Sequence, residues 1–126
     1  MATRLHSIAI FVTDIDRALG FYHEALGLPV HKRGSFGAEL LDGDVHLGVH
    51  PAVHPDAKAL VGRHTGLTFY SEDLLHLCGE LHERGIRFVS EPTQMSFGIM
   101  AMVADPDGNI VALWEDKLPD DAPHTQ

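Results

Sequence analysis

Basic side chains and long apolar runs are scarce in this chain. Lys and Arg number 9 against 18 for Asp and Glu, which gives a formal net charge of −9. Such a charge opposes binding to phosphate backbones and to anionic membrane surfaces. No apolar run approaches the ~20 residues that a bilayer-spanning helix needs. We therefore expect no nucleic acid and no membrane among the partners of this protein.

Cysteine is also nearly absent. The single Cys78 cannot form an internal disulfide, and its position in a helical pattern predicts a half-buried structural thiol rather than a nucleophile. Residues 1–10 lack the apolar segment and the small-residue cleavage site of a signal peptide. We therefore expect a cytoplasmic protein.

The size and the composition of the chain are those of one ordinary domain. It has 126 residues, of which 44% are hydrophobic, and these values predict a compact domain with its own core. Ten residues are histidines, a high number for this length. They indicate either metal sites or a polar surface.

The chain contains a weak internal repeat. When residues 4–18 are aligned with residues 62–76, the matching pairs include His6 with His64, Ser7 with Thr65 and Phe11 with Phe69. Each segment alternates like a strand and leads directly into the start of a helix. Short strand-like pieces separated by turn signals follow each helix. Each half is therefore predicted to be a β-α-β-β-β module.

Capping residues are expected to bound the two helices. Asp14 and Ser71 are the expected N-caps, and Gly27 and Gly85 are expected to end the helices. The apolar stripe of the second helix is predicted to comprise Leu74, Leu75, Cys78, Leu81 and His82.

The repeat also sets the expected domain boundaries. Module one covers about 4–50 and module two about 63–115, within a single domain of residues 1–118. Residues 51–62 contain prolines and little pattern, which is typical of a linker. Residues 119–126 have little apolar content, and we expect them to form a flexible C-terminal tail.

Two stretches resemble a known family. Residues 11–30, and residues 102–115 with the Asp-Pro-Asp-Gly-Asn turn, are similar to the signature stretches of the vicinal oxygen chelate superfamily. That superfamily includes glyoxalase I, extradiol dioxygenases and bleomycin-resistance proteins. The resemblance extends from Arg4 to Glu115. It implies an α+β fold of two paired β-α-β-β-β modules, forming a curled mixed sheet, a cup, with helices on its convex face and the site inside.

The resemblance also locates four metal-ligand positions. Metal-dependent members hold a divalent ion with four strand residues, usually His, Gln or Glu. Those positions carry small residues here, namely Ser7, Gly48, Thr65 and Ala112. None of them supplies the imidazole nitrogen or carboxylate oxygen that such ions need. We therefore expect no metal and no cofactor, as in the metal-free bleomycin-resistance-like branch.

Histidines near these positions leave an alternative open. His6 and His64 each precede a vacated position by one residue, so strand alternation places them on the opposite face unless a β-bulge rotates them inward. His46 and His50 flank Gly48 at a spacing of two and should share its face. An imidazole inside a cavity can act as an acid or base or can hydrogen-bond a ligand.

The same alternation predicts which other residues line the cup. It places Ala9, Phe11, Leu67, Phe69 and Trp114 inside together with the four small residues. Trp114 either stacks on a planar ligand or is ordinary core. For residues 97–104, the wall comprises either Ile99, Ala101 and Val103 or Met100 and Met102.

We expect a small-molecule-binding protein that holds its ligand in an apolar cup and forms a homodimer. The predicted ligand-binding residues are Ser7, Ala9, Phe11, His46, Gly48, His50, Thr65, Leu67, Phe69, Ala112 and Trp114, and no catalytic residue is assigned. The alternative is an enzyme: a metal-dependent lyase, isomerase or dioxygenase that uses His6, His64 and His46, or a metal-free acid–base catalyst that uses His46. A regulatory or accessory domain is a third interpretation.

Overall fold

The computed structural model describes residues 2–119, so all but the first residue of the expected tail at 119–126 lies outside the described residues. The chain divides into two units. One comprises the residues up to Arg63 together with Pro106–Asn109, and the other comprises His64–Asp105 and the residues from Ile110 onward. No helix in the described range 2–119 is long and apolar enough to cross a membrane.

The first unit is built on a four-stranded mixed sheet. Its strands have the order β1-β4-β3-β2, with β1 parallel to β4 and the other neighbours antiparallel. A helix follows β1, and a one-turn helix follows β4. The elements are β1 (Ser7–Val12), α1 (Ile15–Leu19) continued by a π-helical segment (Gly20–Ala25), β2 (Val30–Gly34), β3 (Gly37–Asp42), β4 (Val45–Pro51) and α2 (Pro55–Lys58).

The second unit repeats this arrangement with the strand order β5-β8-β7-β6, where β5 is parallel to β8. Its elements are β5 (His64–Tyr70), α3 (Leu74–Glu83), β6 (Arg87–Gln94), β7 (Gly98–Ala104) and β8 (Ile110–Asp116). The predicted α+β class with two β-α-β-β-β modules is confirmed.

The helix of the first module begins where the sequence predicts. The side chain of Asp14 accepts a hydrogen bond from the backbone N of Arg17 at 3.1 Å, as an N-cap does. The expected single helix changes to π-helical geometry at Gly20, and the bond from Leu26 N to Phe21 O at 2.9 Å closes the wider turn. Gly27 then takes φ +82, which ends the helix.

The start of the second helix differs from the prediction. Its N-cap is Asp73, whose side chain accepts a hydrogen bond from His76 N at 3.2 Å, whereas Ser71 Oγ accepts one from Asp73 N at 3.3 Å. The buried stripe is therefore Leu74, Cys78 and Leu81, while Leu75 is 54% exposed. His82 is exposed too. Burial and the nearby charge of Glu91 raise the pKa of the Cys78 thiol to about 11, which keeps it protonated at neutral pH.

Four residues of the Asp-Pro-Asp-Gly-Asn turn, Pro106–Asn109, belong to the first unit, although β8 of the second unit follows them in sequence. Asn109 is fully buried; its Oδ1 accepts hydrogen bonds from Gly62 N at 2.8 Å and Arg63 N at 3.3 Å. Its Nδ2 donates to Phe11 O at 3.1 Å. The carboxylate of Asp107 accepts from Thr13 N at 2.9 Å and Thr13 Oγ1 at 2.6 Å. The turn thus joins the end of β1 to the end of the 51–62 segment.

Candidate functional site

The face of the first sheet opposite its helix gathers six predicted site residues. In the register of β1 with β4, Ser7 lies beside His46, Ala9 beside Gly48 and Phe11 beside His50. Laterally paired residues point to the same side of a sheet, and alternate residues point to opposite sides. The intervening residues Ile10, Val12, Leu47 and Val49 are buried with the helix residues Ala18, Leu19, Phe21 and Tyr22.

Glu39 on β3 joins this surface beside Gly48. We call the surface the first face; its residues are Ser7, Ala9, Phe11, Glu39, His46, Gly48 and His50. Glu39 is not among the residues predicted from the sequence, although the sequence carries a signal for it. A two-residue turn at Gly43 and Asp44 fixes the register of the β3–β4 hairpin, and counting outward from it brings residue 39 opposite residue 48.

Glu39 and His46 form an electrostatic pair on this face. Oε2 of Glu39 lies 3.2 Å from Nδ1 of His46, and the two side chains are 26% and 29% exposed. Nδ1 of His46 has no well-aligned hydrogen bond within the described residues. The contact with His46 lowers the pKa of Glu39 below its ordinary value, so Glu39 is a carboxylate at neutral pH.

The imidazole of His50 is held in a defined orientation. Its Nδ1 lies 2.9 Å from the carbonyl oxygen of Phe36. Because a carbonyl only accepts, Nδ1 carries the proton, and Nε2 of the neutral ring is left as an acceptor. A Cβ at position 48 would lie 2.5 Å from this Nε2. The missing side chain of Gly48 is therefore what lets the His50 ring lie across the strand.

The second unit has a corresponding helix-free face. Thr68 and Met102 lie beside Ala112, and Tyr70 and Met100 lie beside Trp114. We call this surface the second face; its residues are Thr68, Tyr70, Met100, Met102, Ala112 and Trp114. The alternative that the sequence left open on β7 is thus resolved, because Ile99, Ala101 and Val103 are buried on the opposite side.

The expected placement of Leu67 and Phe69 on this face is wrong. Phe69 lies beside Leu113, which is fully buried on the helix side, and Leu67 shares that side with it. The cause is a slip in the pairing of β5 with β8 between His64 and Thr68, where Gly66 has φ +79. Such an irregularity changes which residues stand opposite one another.

The histidines that precede Ser7 and Thr65 are not on the opposite faces that alternation predicted. His64 is exposed and pairs with Ile110, on the side of Ala112. His6 precedes the first residue of β1, so strand alternation does not apply to it. The centroid of its ring lies 5.3 Å from that of His46.

Trp114 is half-buried at the end of β8. Its Nε1 donates a hydrogen bond to Asp116 at 2.7 Å, and its ring covers Gly98, where any Cβ would overlap it. The indole is thus held flat against β7 with part of its surface accessible.

The four positions implied for a metal do not form a chelating set. Gly48 and Ala112 carry no donor atom. The hydroxyl of Thr65 donates to Ile110 O at 2.7 Å and accepts from Leu67 N at 3.1 Å. Across residues 2–119, no group of three or more His, Cys, Asp or Glu side chains is arranged to hold a metal ion. The residues present therefore do not fit the metal of the metal-dependent members.

Two cavities border the first sheet at its two ends. A cavity of about 770 Å³ is lined by Arg4, Leu5, His6, Gly43, Asp44 and His46. A more apolar one of about 370 Å³ lies where Phe11 and Pro51 meet the segment that contains α2. Both volumes are in the range of pockets that bind small molecules.

Known proteins resemble this chain along most of its length. A family model described as Glyoxalase/Bleomycin resistance protein/Dioxygenase superfamily matches residues 4–113. Glutathione transferase FosA of Serratia marcescens is 28% identical over 119 residues, which cover 90% of this chain and 81% of that protein.

Solved structures share the fold. TnmS3, an antibiotic binding protein from Streptomyces sp. CB03234, is 27% identical with a TM-score of 0.75, covering 93% of this chain and 99% of TnmS3. A superfamily member from Sphaerobacter thermophilus DSM 20745 is 24% identical with a TM-score of 0.77, covering 90% of this chain and 98% of that one. Because the family model matches most of the chain, this protein belongs to the glyoxalase/bleomycin resistance protein/dioxygenase superfamily, the vicinal oxygen chelate superfamily.

Proposed function

We propose that this protein binds an organic small molecule on the first face without using a metal ion. The observation that carries the proposal is the arrangement of His46, Gly48 and His50, where two imidazoles border a strand position that has no side chain. The similarity to TnmS3, which is described as an antibiotic binding protein, supports ligand binding rather than a purely structural role.

The first face favours an aromatic ligand with a hydrogen-bond donor. The His50 ring lies 6.1 Å from the ring of Phe11 and 6.4 Å from that of Phe36, measured between centroids. The ring planes are tilted by 40° and 53°, so each ring offers its own face or edge to an aromatic ligand. The acceptor Nε2 of His50 and the carboxylate of Glu39 both suit a hydroxyl or amine hydrogen.

We propose separately that Ala112 and Trp114 contact a ligand on the second face. We also propose a homodimer, the assembly that the family resemblance implies. The cytoplasmic location stays a prediction.

Thermal-shift screening against aromatic antibiotics in the presence of EDTA tests the proposal, followed by calorimetry on the compounds that bind. In the Gly48→Ala variant the new methyl group displaces only the tip of His50, and we expect about tenfold weaker binding, the effect of one lost hydrogen bond. The control is His76→Ala, which removes an exposed histidine on α3. Equal affinity of Gly48→Ala and the wild type would refute a site on the first face.

A specific contact favours acid–base catalysis as a second candidate function. The carboxylate of Glu39 lies 3.2 Å from Nδ1 of His46, a distance at which a carboxylate can orient the imidazole of a general acid or base. The name of the similar FosA, a glutathione transferase, indicates that relatives include enzymes. If bound compounds are converted, mass spectrometry will detect products. We then expect His46→Gln to abolish turnover while binding persists.

A further inference from the structure

Most of the lining of the apolar cavity of about 370 Å³ comes from residues 51–62, the segment that the sequence predicts to be a linker. We call this cavity the linker pocket. Its apolar lining consists of Phe11, Pro51, Val53, Ala57 and Leu60. Its two polar lining residues are His54 and Asp56.

Hydrogen bonds hold the walls of the linker pocket in place. Ala52 N donates to Val12 O at 2.9 Å, which extends the contact between the two strand ends. Lys58 N donates to His54 O at 2.9 Å and forms the single turn of α2, with Pro55 at its first position. Asn109 holds both Phe11 and Gly62. The pocket is therefore supported on both sides by ordered backbone.

The rim of the linker pocket combines exposed apolar surface with one carboxylate. Val53 is 72% exposed and Leu60 is 41% exposed, both high values for large apolar side chains. Asp56 forms no ion pair with any side chain between residues 2 and 119. The net charge of −9 adds a background potential that attracts cations and repels anions.

We propose that the linker pocket binds one part of the ligand, an apolar ring system that carries a protonated amine. The inference rests on the proposed function, and Phe11 connects the two sites because it belongs to both the first face and the pocket wall. The ring system contacts Phe11, Ala57 and Leu60, and the ammonium group lies near Asp56. Because Asp56 is exposed, its effect on affinity is modest, about threefold to fivefold.

Three naphthyl probes of similar size but different charge test the inference at pH 7.5: 1-naphthylmethylamine, 1-naphthylmethanol and 1-naphthoate. We expect the wild type to bind the amine most tightly and the carboxylate most weakly in NMR titrations, with amide shifts concentrated at Val53 and Leu60. Asp56→Asn should reduce the preference for the amine over the alcohol by about threefold to fivefold. The matched control Glu24→Gln, another exposed acid of the first unit, should leave the amine preference unchanged.

Two variants test the pocket itself. Ala57→Phe fills it and should abolish binding of all three probes. Val53→Lys, on the exposed rim where a substitution does not threaten folding, should reverse the preference in favour of the carboxylate. The inference is overturned if probe binding survives Ala57→Phe in a folded protein, or if Val53→Lys leaves the order of affinities unchanged.

The two proposals fail in different ways. If Gly48→Ala weakens binding of the screened compound while the naphthyl probes do not bind the wild type, the proposed function stands and the linker pocket is refuted. If the probes bind as expected but Gly48→Ala changes nothing, the site on the first face is refuted. If Ala57→Phe converts a dimer into a monomer in sedimentation velocity, a second copy of the chain occupies the pocket, which also overturns the inference.

Discussion

Replacing Asn109 by alanine should destabilise the first unit, and more than the replacement of Asp107 in the same turn does. The substitution removes the acceptor for Gly62 N and Arg63 N and the donor for Phe11 O. The Asn109 side chain is 0% exposed, although its partner Gly62 is exposed.

The expected loss in the free energy of unfolding follows from the three hydrogen bonds that Asn109 makes. The bonds at 2.8 Å and 3.1 Å are well formed, whereas the one at 3.3 Å is long. A buried group that loses its partner costs ~1–3 kcal/mol, and water can reach Gly62 because it is exposed. We therefore expect Asn109→Ala to lower the free energy of unfolding by about 2–4 kcal/mol.

Urea unfolding monitored by circular dichroism measures this loss. Asp107→Ala in the same turn is the control, because its contacts with Thr13 are exposed and should account for about 1 kcal/mol. Hydrogen exchange adds a local readout, in which the amides of Gly62 and Arg63 should exchange faster in Asn109→Ala. The reasoning is refuted if Asn109→Ala costs no more than Asp107→Ala, or if those two amides keep their exchange rates.

Four further predictions concern the site and the assembly. Elemental analysis of protein purified without a tag should find no stoichiometric divalent metal, because Gly48 and Ala112 offer no ligand atoms; about one Zn, Ni, Mn or Fe ion per chain would contradict the metal-free proposal. A ligand that binds by calorimetry should change the fluorescence of Trp114, and unchanged emission would assign the indole to the core alone. The contact with His46 lowers the pKa of Glu39 in the folded state. Its contribution to the free energy of unfolding is therefore present above the pKa of the unfolded state and is lost as the pH falls through the lower folded-state pKa. Glu39→Gln should remove this part of the acid dependence in unfolding curves. Light scattering should give twice the chain mass, and a monomer at micromolar concentration would contradict the homodimer.

Strand alternation, counted from the positions that the family resemblance implies, predicted which residues share the first face. Ser7, Ala9, Phe11, His46 and Gly48 lie where period-two patterning places them, because β1 pairs with β4 without interruption. Alternation along β1 and β4 does not reach Glu39, because its place beside Gly48 depends on the register of β3 with β4.

The second face was predicted less well because β5 does not pair evenly with β8. A slip between His64 and Thr68 reverses the expected sides of Leu67 and Phe69. In the sequence, the only sign of this slip is Gly66, and a glycine is equally typical of a turn. In the structure Gly66 has a positive φ. Alternation along a strand predicts which face of the sheet a residue lies on only where the pairing with the neighbouring strand is uninterrupted.

The place of Pro106–Asn109 in the first unit has a consequence for folding during synthesis. A ribosome makes β1 to β4 early, but Asn109, which bonds Phe11 and Gly62, is translated more than forty residues after Arg63. Until most of the second module has left the exit tunnel, the carbonyl of Phe11 and the amide of Gly62 therefore lack Asn109 as their partner. The amino-terminal half cannot complete its hydrogen bonds before then. We expect a fragment that ends at Arg63 to fold poorly for the same reason, so the two halves of the repeat cannot be separated along the chain without loss of stability.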